Sequence, residues 1–379
     1  MKKIVFYLGL AYCVFYFSNK ISAQTFGVIG DYGKNNQGEL DVSNLIKSWN
    51  PDFIITLGDN NYQDGNSTTI DQNIGKYFHE FIYPYKGNYG PGATLNRFFP
   101  SLGNHDVRTA KGKPYFDYFT LPGNERYYDF GWDNVHFFAL NTDTAEVDGD
   151  TFSSIQGEWL KNALASSNSL WKIVYMHESP YSSDKRHGSQ KRLQWPFREW
   201  GATVVMAGHS HLYERLHIND LTYFVNGLGG HSYYSFKEPI EGSLVRYNDN
   251  FGAMKVEASK DSIVFKFINR TDSLIDYYSI ININSDVKQF DLKEKVHLHN
   301  YPNPFISLTT IEFTLHSSEF VTLKLYNLFG EEIATLLSEN LPSGKHEVEW
   351  IAPNQARGIY FCCLFISGSL NVRKAIIVN

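Results

Sequence analysis

The sequence predicts a layered α/β domain followed by a small β-sandwich. Three observations carry this. Short apolar runs of strand length alternate with helical patterns through the first two thirds of the chain. Five short polar motifs follow such runs. From Asn300 onward the chain consists of short strand-like segments separated by Gly, Pro, Ser or Asn. A length of 379 residues accommodates two domains.

In chain order, Lys2 and Lys3 precede an apolar stretch from Ile4 to Phe17, and Ser22-Ala23 supplies small residues for cleavage before Gln24. Residues 1–23 read as an export signal, because the stretch falls short of the ~20 residues of a membrane-spanning helix. No other stretch is apolar enough to span a bilayer. Thr25 to Gly30 is a strand-length run ending at Asp31. Leu40, Leu45, Ile46 and Trp49 follow at helical spacing until Pro51 breaks the pattern. Phe53 to Leu57 ends at Gly58-Asp59. Asn61 to Pro100 is rich in Gly, Asn and Tyr and reads largely as a loop shaping an entrance. Ile155, Trp159, Leu160, Ala163 and Leu164 recur at helical spacing. Lys172 to Met176 ends at His177, and Thr203 to Ala207 ends at Gly208-His209. Carboxyl ends of strands are where open α/β sheets build their sites.

The character changes after Gly227-Leu228-Gly229-Gly230. Gly252 to Glu257 and Ser262 to Ile268 alternate as a hairpin closing the first domain, which spans residues 24–284. Residues 285–299 form a charged linker. Residues 300–379 carry strands at Ile311 to Leu315, Val321 to Tyr326, His346 to Trp350, Ile359 to Phe365 and Ala375 to Val378.

A net charge of −6 argues against nucleic-acid binding, which wants a basic surface. Cys13 falls in the signal. Cys362 and Cys363 are adjacent, so on a strand their side chains point apart and a bond between them is not expected. The first domain has no thiolate for a metal.

The five motifs are Asp31-Tyr32-Gly33, Gly58-Asp59-Asn60-Asn61-Tyr62, Gly103-Asn104-His105-Asp106, Val174-Tyr175-Met176-His177 and Gly208-His209-Ser210-His211. Together they offer ligands for two metal ions, and a two-metal site points to phosphate-ester hydrolysis. Two nearby cations repel, and a shared carboxylate, Asp59, offsets this. Asp31 adds an oxygen, His177, His209 and His211 add imidazoles, and Asn104 adds an amide oxygen; mixed N/O donors suit Fe, Zn or Mn. A His-x-His pair alone is weak evidence, since single histidines often serve as structural hydrogen-bonding residues. Tyr62 discriminates, because an ordinary phenol titrates near 10 and binds as phenolate only to a strong Lewis acid such as Fe(III).

These blocks resemble the calcineurin-like metallophosphoesterases, and more narrowly the small, tartrate-resistant kind of purple acid phosphatase. The second block carries Tyr62 where many superfamily members instead have a histidine in the first. The resemblance covers Thr25 to Ile283 and implies a four-layer α/β/β/α sandwich. It further implies that Asp31, Tyr62 and His211 hold Fe(III), that Asn104, His177 and His209 hold Fe(II), Zn(II) or Mn(II), and that Asp59 bridges. His105 would donate a proton or stabilise charge, with Asp106 orienting it. His187 matches a histidine the family places after the fourth block. Beside it stands Arg186, a departure that leaves substrate preference and pH optimum open.

Asn300-Tyr301-Pro302-Asn303-Pro304-Phe305, Tyr326-Asn327, Gly330, Gly358-Ile359-Tyr360 and Lys374 resemble the C-terminal sorting domain of the type IX secretion system, an Ig-like sandwich. The expectation is an exported acid phosphatase, extracellular or at the cell surface, that partners this secretion machinery. It would hydrolyse phosphate monoesters, small molecules or phosphoproteins, by attack of a metal-bound hydroxide. A phosphodiesterase or nucleotide pyrophosphatase using the same two ions is the first alternative. A non-catalytic phosphate- or metal-binding surface module is the second.

Overall fold

In a computed structural model, the first apolar run forms strand β1 (Gln24–Ile29), followed by helix α1 (Gln37–Ser48). Asn36 caps α1 by accepting from the Glu39 N–H. Strands β2 (Phe53–Thr56) and β3 (Phe98–Pro100) continue a parallel set, β1 to β2 to β3. Between them a helical run passes through a π turn at Asp71–Gly75, the single turn α2 (Lys76–Phe78) and a 3-10 turn at His79–Phe81. Next come α3 (Lys113–Tyr118), β4 (Tyr128–Trp132), β5 (Val135–Ala139), α4 (Ile155–Ser166) and β6 (Trp171–Met176). After them come α5 (Phe197–Trp200), β7 (Val204–Ala207), β8 (Tyr213–Ile218), β9 (Leu221–Asn226) and β10 (Ser243–Tyr247). The strands β11 (Gly252–Ala258), β12 (Ser262–Asn269) and β13 (Leu274–Ile281) complete the first of two compact units, which divide at residues 283 and 284. The described residues are 23–282, 298–315, 317–327, 332–352, 358–366 and 369–377.

Two sheets build the first unit, in the orders β13-β12-β11-β1-β2-β3 and β10-β8-β9-β7-β6-β5-β4. Period-two alternation sorts the second sheet. Phe137, Ile173, Tyr175, Val204 and Met206 join the core shared with the first sheet. Their neighbours Phe138, Val174, Met176, Val205 and Ala207 pack with Leu160 and Leu164 of α4 and Phe197 of α5. On the far side, Ile46 of α1 sits against Gly27 of β1, where a Cβ would come within 2.8 Å of it. The layers therefore run α/β/β/α. Aromatic rings fill the space between the sheets: Phe137 lies 5.1 Å from Phe26, 5.3 Å from Phe53 and 4.8 Å from Phe130.

The second unit is all β. A sheet of β14 (Leu298–Tyr301), β15 (Leu308–Leu315) and β18 (Gly344–Ile351) accompanies one of β17 (Glu332–Leu341), β16 (Glu319–Tyr326), β19 (Gly358–Ile366) and β20 (Ser369–Ile377). Ile311 and Phe313 from one sheet meet Val321, Leu323, Cys362 and Leu364 from the other in one core, as in an Ig-like sandwich. Cys362 and Cys363 are free and buried.

Several local expectations change. Asn61 to Pro100 is loop over most of its length, but it also holds a helical run over residues 70–81, where Ile70, Ile74, Tyr77, Phe78 and Phe81 recur at helical spacing and are buried. Ile155 does not join the buried face of α4; it is 66 % exposed just after the Ser154 cap. The hairpin gains a third strand, β13, and β14 and β17 add two strands to the second unit. The candidate linker 285–299 lies outside the described residues except for its last two, which begin β14. The candidate signal 1–23 lies outside them except for Ala23.

Phe137→Ala removes the ring that joins the two sheets. Urea denaturation should show a loss of about 3–5 kcal/mol. A change below about 1 kcal/mol would contradict the packing described.

Candidate metal centre

The donor residues of each motif follow the end of a core strand. Asp31 follows β1, Asp59 follows β2, His177 follows β6 and His209 follows β7. Asp31, Asp59 and His209 have φ values of 56°, 52° and 66°, in the left-handed region that costs non-glycine residues energy. The sharp turns swing their side chains into the space between the loops. Gly103 is required there, since a Cβ on it would lie 2.1 Å from the Asp59 nitrogen.

Two sets of donors converge. In the first, Asp31 Oδ1 lies 3.2 Å from Tyr62 Oη and 3.2 Å from His211 Nε2, and the last two are 3.3 Å apart. In the second, His177 Nε2 lies 3.0 Å from Asn104 Oδ1, 3.1 Å from His209 Nδ1 and 3.4 Å from Asp59 Oδ1. Asp59, Asp31 and His177 each place a donor atom within 4.8 Å of the others, so Asp59 stands between the two sets. Ligands ~2.1 Å from one ion, at right angles, stand ~3 Å apart. Both sets fit that spacing, so all seven residues expected to bind metal are brought together.

Protonation supports the same reading. Leu57 O is an acceptor at 2.8 Å from His177 Nδ1, so that nitrogen carries the hydrogen and Nε2 faces the other donors. Burial lowers the His177 pKa, but Asp59 and Asp31 outweigh it and lift the imidazole to about 9. A proton there occupies the place a cation would take. Burial raises Asp31, yet the His211 and His177 imidazoles outweigh it and hold the carboxyl below its usual range. Burial, then the Asp59 and Asp31 carboxylates, push the Tyr62 phenol well above 10. Burial and the neighbouring histidines drive His209 far down, so it offers a lone pair.

A second ring of contacts aims these groups. The His209 N–H donates to Asp31 Oδ2 at 2.8 Å, and the His105 N–H to Asp59 Oδ1 at 2.9 Å. Ser232 Oγ lies 2.6 Å from His211 Nδ1, which turns Nε2 toward Asp31.

His105 lies beside Tyr62, with ring centroids 4.5 Å apart and the rings tilted by 60°, and its Nε2 is 3.8 Å from Asp59 Oδ2. His187 lies 4.0 Å from the His209 ring, held by its N–H to Asp184 Oδ2. Arg186 donates to the Tyr234 hydroxyl, and the Tyr234 ring stacks on His211 at 4.0 Å. Asp106 differs from expectation: it does not orient the His105 ring. It is buried beneath the site and accepts from the N–H groups of Gly103, Asn60 and Asn61 and from Asn60 Nδ2. It thereby staples the second motif to the third. Burial, with Asp59 nearby, pushes its carboxyl up to about 7, against those donors.

Sequence reasoning missed His231, whose ring lies 4.0 Å from Tyr62, and Tyr234. A signal for His231 existed: Gly227 to His231 follows β9, which runs parallel to β7. Tyr234 had none.

Asp106→Asn replaces an acceptor with an amide that faces N–H donors. Denaturation should show a loss of about 1–3 kcal/mol. Unchanged stability would leave Asp106 without its stapling role.

Residues 25–213 match the model of the calcineurin-like phosphoesterase family, and residues 299–379 match that of the secretion system C-terminal sorting domain. A purple acid phosphatase of Glycine max is 28 % identical over 224 residues, covering 54 % of this chain and 47 % of the relative. Human tartrate-resistant acid phosphatase type 5 is 25 % identical over 238 residues, covering 55 % and 73 %. The chain spans about half the length of the Glycine max relative. Among solved structures, purple acid phosphatase PPD1 of yellow lupin superposes with a TM-score of 0.56 at 19 % identity, over 69 % of this chain and 54 % of that one. GAP50, described as the anchor in the inner membrane complex of Plasmodium, gives 0.53 at 17 % identity, over 70 % and 90 %. Both share the fold. Among the described residues no helix is long and apolar enough to cross a membrane. The chain carries a calcineurin-like phosphoesterase domain homologous to purple acid phosphatases, followed by a type IX secretion system sorting domain.

Proposed function

We propose that this protein is an exported acid phosphatase that hydrolyses phosphate monoesters at a two-metal site. The observation that carries the proposal is the pair of donor sets that share Asp59. In this reading Asp31, Tyr62 and His211 hold Fe(III), and Asn104, His177 and His209 hold Fe(II), Zn(II) or Mn(II). When bound, such a pair neutralises phosphate oxygens and lowers the pKa of an attacking water. Tyr62 supports Fe(III) in particular, because a phenol raised by burial and two carboxylates gives up its proton only to a strong Lewis acid.

The chain's own residues do the rest. Asp59 keeps the two sets in register. The Leu57 carbonyl and the Ser232 hydroxyl fix His177 and His211 so that their Nε2 atoms face inward. His105 and His187 border the space above the donors, where an imidazole can move a proton to a leaving alkoxide. The mouth carries Arg108 and Arg186 in a chain of net charge −6, which favours an anionic substrate there. The sorting domain supports action outside the cell, on phosphorylated small molecules or phosphoproteins.

The test is the pH–rate profile of the purified protein on an aryl phosphate monoester and the matching diester. Faster monoester turnover with an acid optimum is expected. Faster diester turnover, or a neutral or alkaline optimum, would remove the acid monoesterase assignment and favour a phosphodiesterase or pyrophosphatase. Full metal occupancy without turnover would favour a binding module. His105→Ala should keep both metals and slow turnover by about 100-fold or more. Metal loss in that variant would make His105 a ligand.

A further inference from the structure

The arginines of the first unit differ in how they are paired. Arg192 donates to Asp150 at 2.5 Å and Glu178 at 2.9 Å, and Arg215 grips Asp276 at 2.7 and 3.0 Å. These are strong charge-assisted contacts. Arg108 has none of that length. Its Nη1 is 3.4 Å from Asp64 Oδ1, whose side chain is 63 % exposed, and 3.2 Å from Gln63 O. Its Nη2 is 3.3 Å from His105 Nε2. Three long contacts leave donors of the planar fork uncommitted.

His105 fixes where that fork lies. Its Nδ1 is 2.5 Å from Gln63 O, a carbonyl, so Nδ1 carries a hydrogen. Nε2 faces the Arg108 donor, so the neutral form of His105 accepts there. The same Nε2 is 3.8 Å from Asp59 Oδ2. The guanidinium therefore stands one imidazole away from the carboxylate shared by both donor sets. Thr109 Oγ1 donates to Asp64 O at 2.6 Å, which ties this loop to the one carrying Gln63.

We propose that Arg108 contacts the substrate, its guanidinium holding an oxygen of the bound phosphate group, with His105 and Gln63 as the residues that position it. The inference rests on the two-metal reading for where the phosphate binds. It deepens that reading: an oxygen facing away from the ions meets a cationic fork, not water. A bidentate fork suits phosphate geometry better than a lysine does.

The test titrates inorganic phosphate into the metal-loaded, full-length protein by calorimetry, for wild type, Arg108→Ala, Arg108→Gln and Arg108→Lys. Arg108→Ala and Arg108→Gln should weaken phosphate binding about 10- to 100-fold, as expected for a lost charged hydrogen bond, with metal content and melting temperature unchanged. Arg108→Lys should recover part of the affinity. Equal affinity in wild type and Arg108→Ala overturns the proposal, as does a wild type that binds no phosphate. Loss of metal or fold in both Arg108→Ala and Arg108→Gln gives Arg108 a structural role and also overturns it. Aryl phosphate turnover by the same wild-type preparation separates this inference from the functional reading. Phosphate held through Arg108 without turnover sinks the hydrolase and leaves Arg108 in place. Turnover with affinity independent of Arg108 does the reverse.

Discussion

Two carboxylates, Asp31 and Asp59, are buried among imidazoles, an amide and a phenol. Burying a carboxylate is costly unless opposite charge or strong donors meet it. Backbone N–H groups hold Asp31 Oδ2 and Asp59 Oδ1, while Asp31 Oδ1 meets Tyr62 and His211 and Asp59 Oδ1 also meets His177. That convergence favours positive charge among the donors. The strained turns at Asp31, Asp59 and His209 exist to produce it. Two sheets locked by an aromatic core supply the rigid frame that such turns need.

The frame reaches the donors through a connected set of polar contacts. Asn60 accepts from Thr56 and from the Tyr32 hydroxyl and donates to Asp106, so one amide joins the first three motifs. Asp184 accepts from Ser210 Oγ and from the Arg186 and His187 N–H groups, which joins the turn after the fourth motif to the fifth. Donor geometry is thus a property of the loops as a group, and polar residues outside the two donor sets help to set it.

What the sequence made legible follows from periodicity. A short Val- and Ile-rich run that stops at a polar motif marks both the strand and the place where its loop enters the site, so Asp31, Asp59, His177 and His209 stood out. The helical run after Asn61 was hidden because its apolar residues are diluted by Gly, Asn and Tyr. Ile155 misled because it has the right spacing but precedes the first buried turn of α4. The family resemblance paired Asp106 with His105; its partners are instead backbone N–H groups and the Asn60 amide, which no residue pattern reveals. Tyr234 owes its place to tertiary packing against His211, and Arg108 to its contacts with the distant Gln63 and Asp64 as well as with nearby His105.

The central claim is that one carboxylate serves two ions. Metal analysis of wild type and Asp59→Asn tests it most directly, with circular dichroism confirming the fold of each. The account predicts two ions per chain in wild type and at most one in Asp59→Asn. Fewer than two ions in wild type, or two retained in Asp59→Asn, would contradict it.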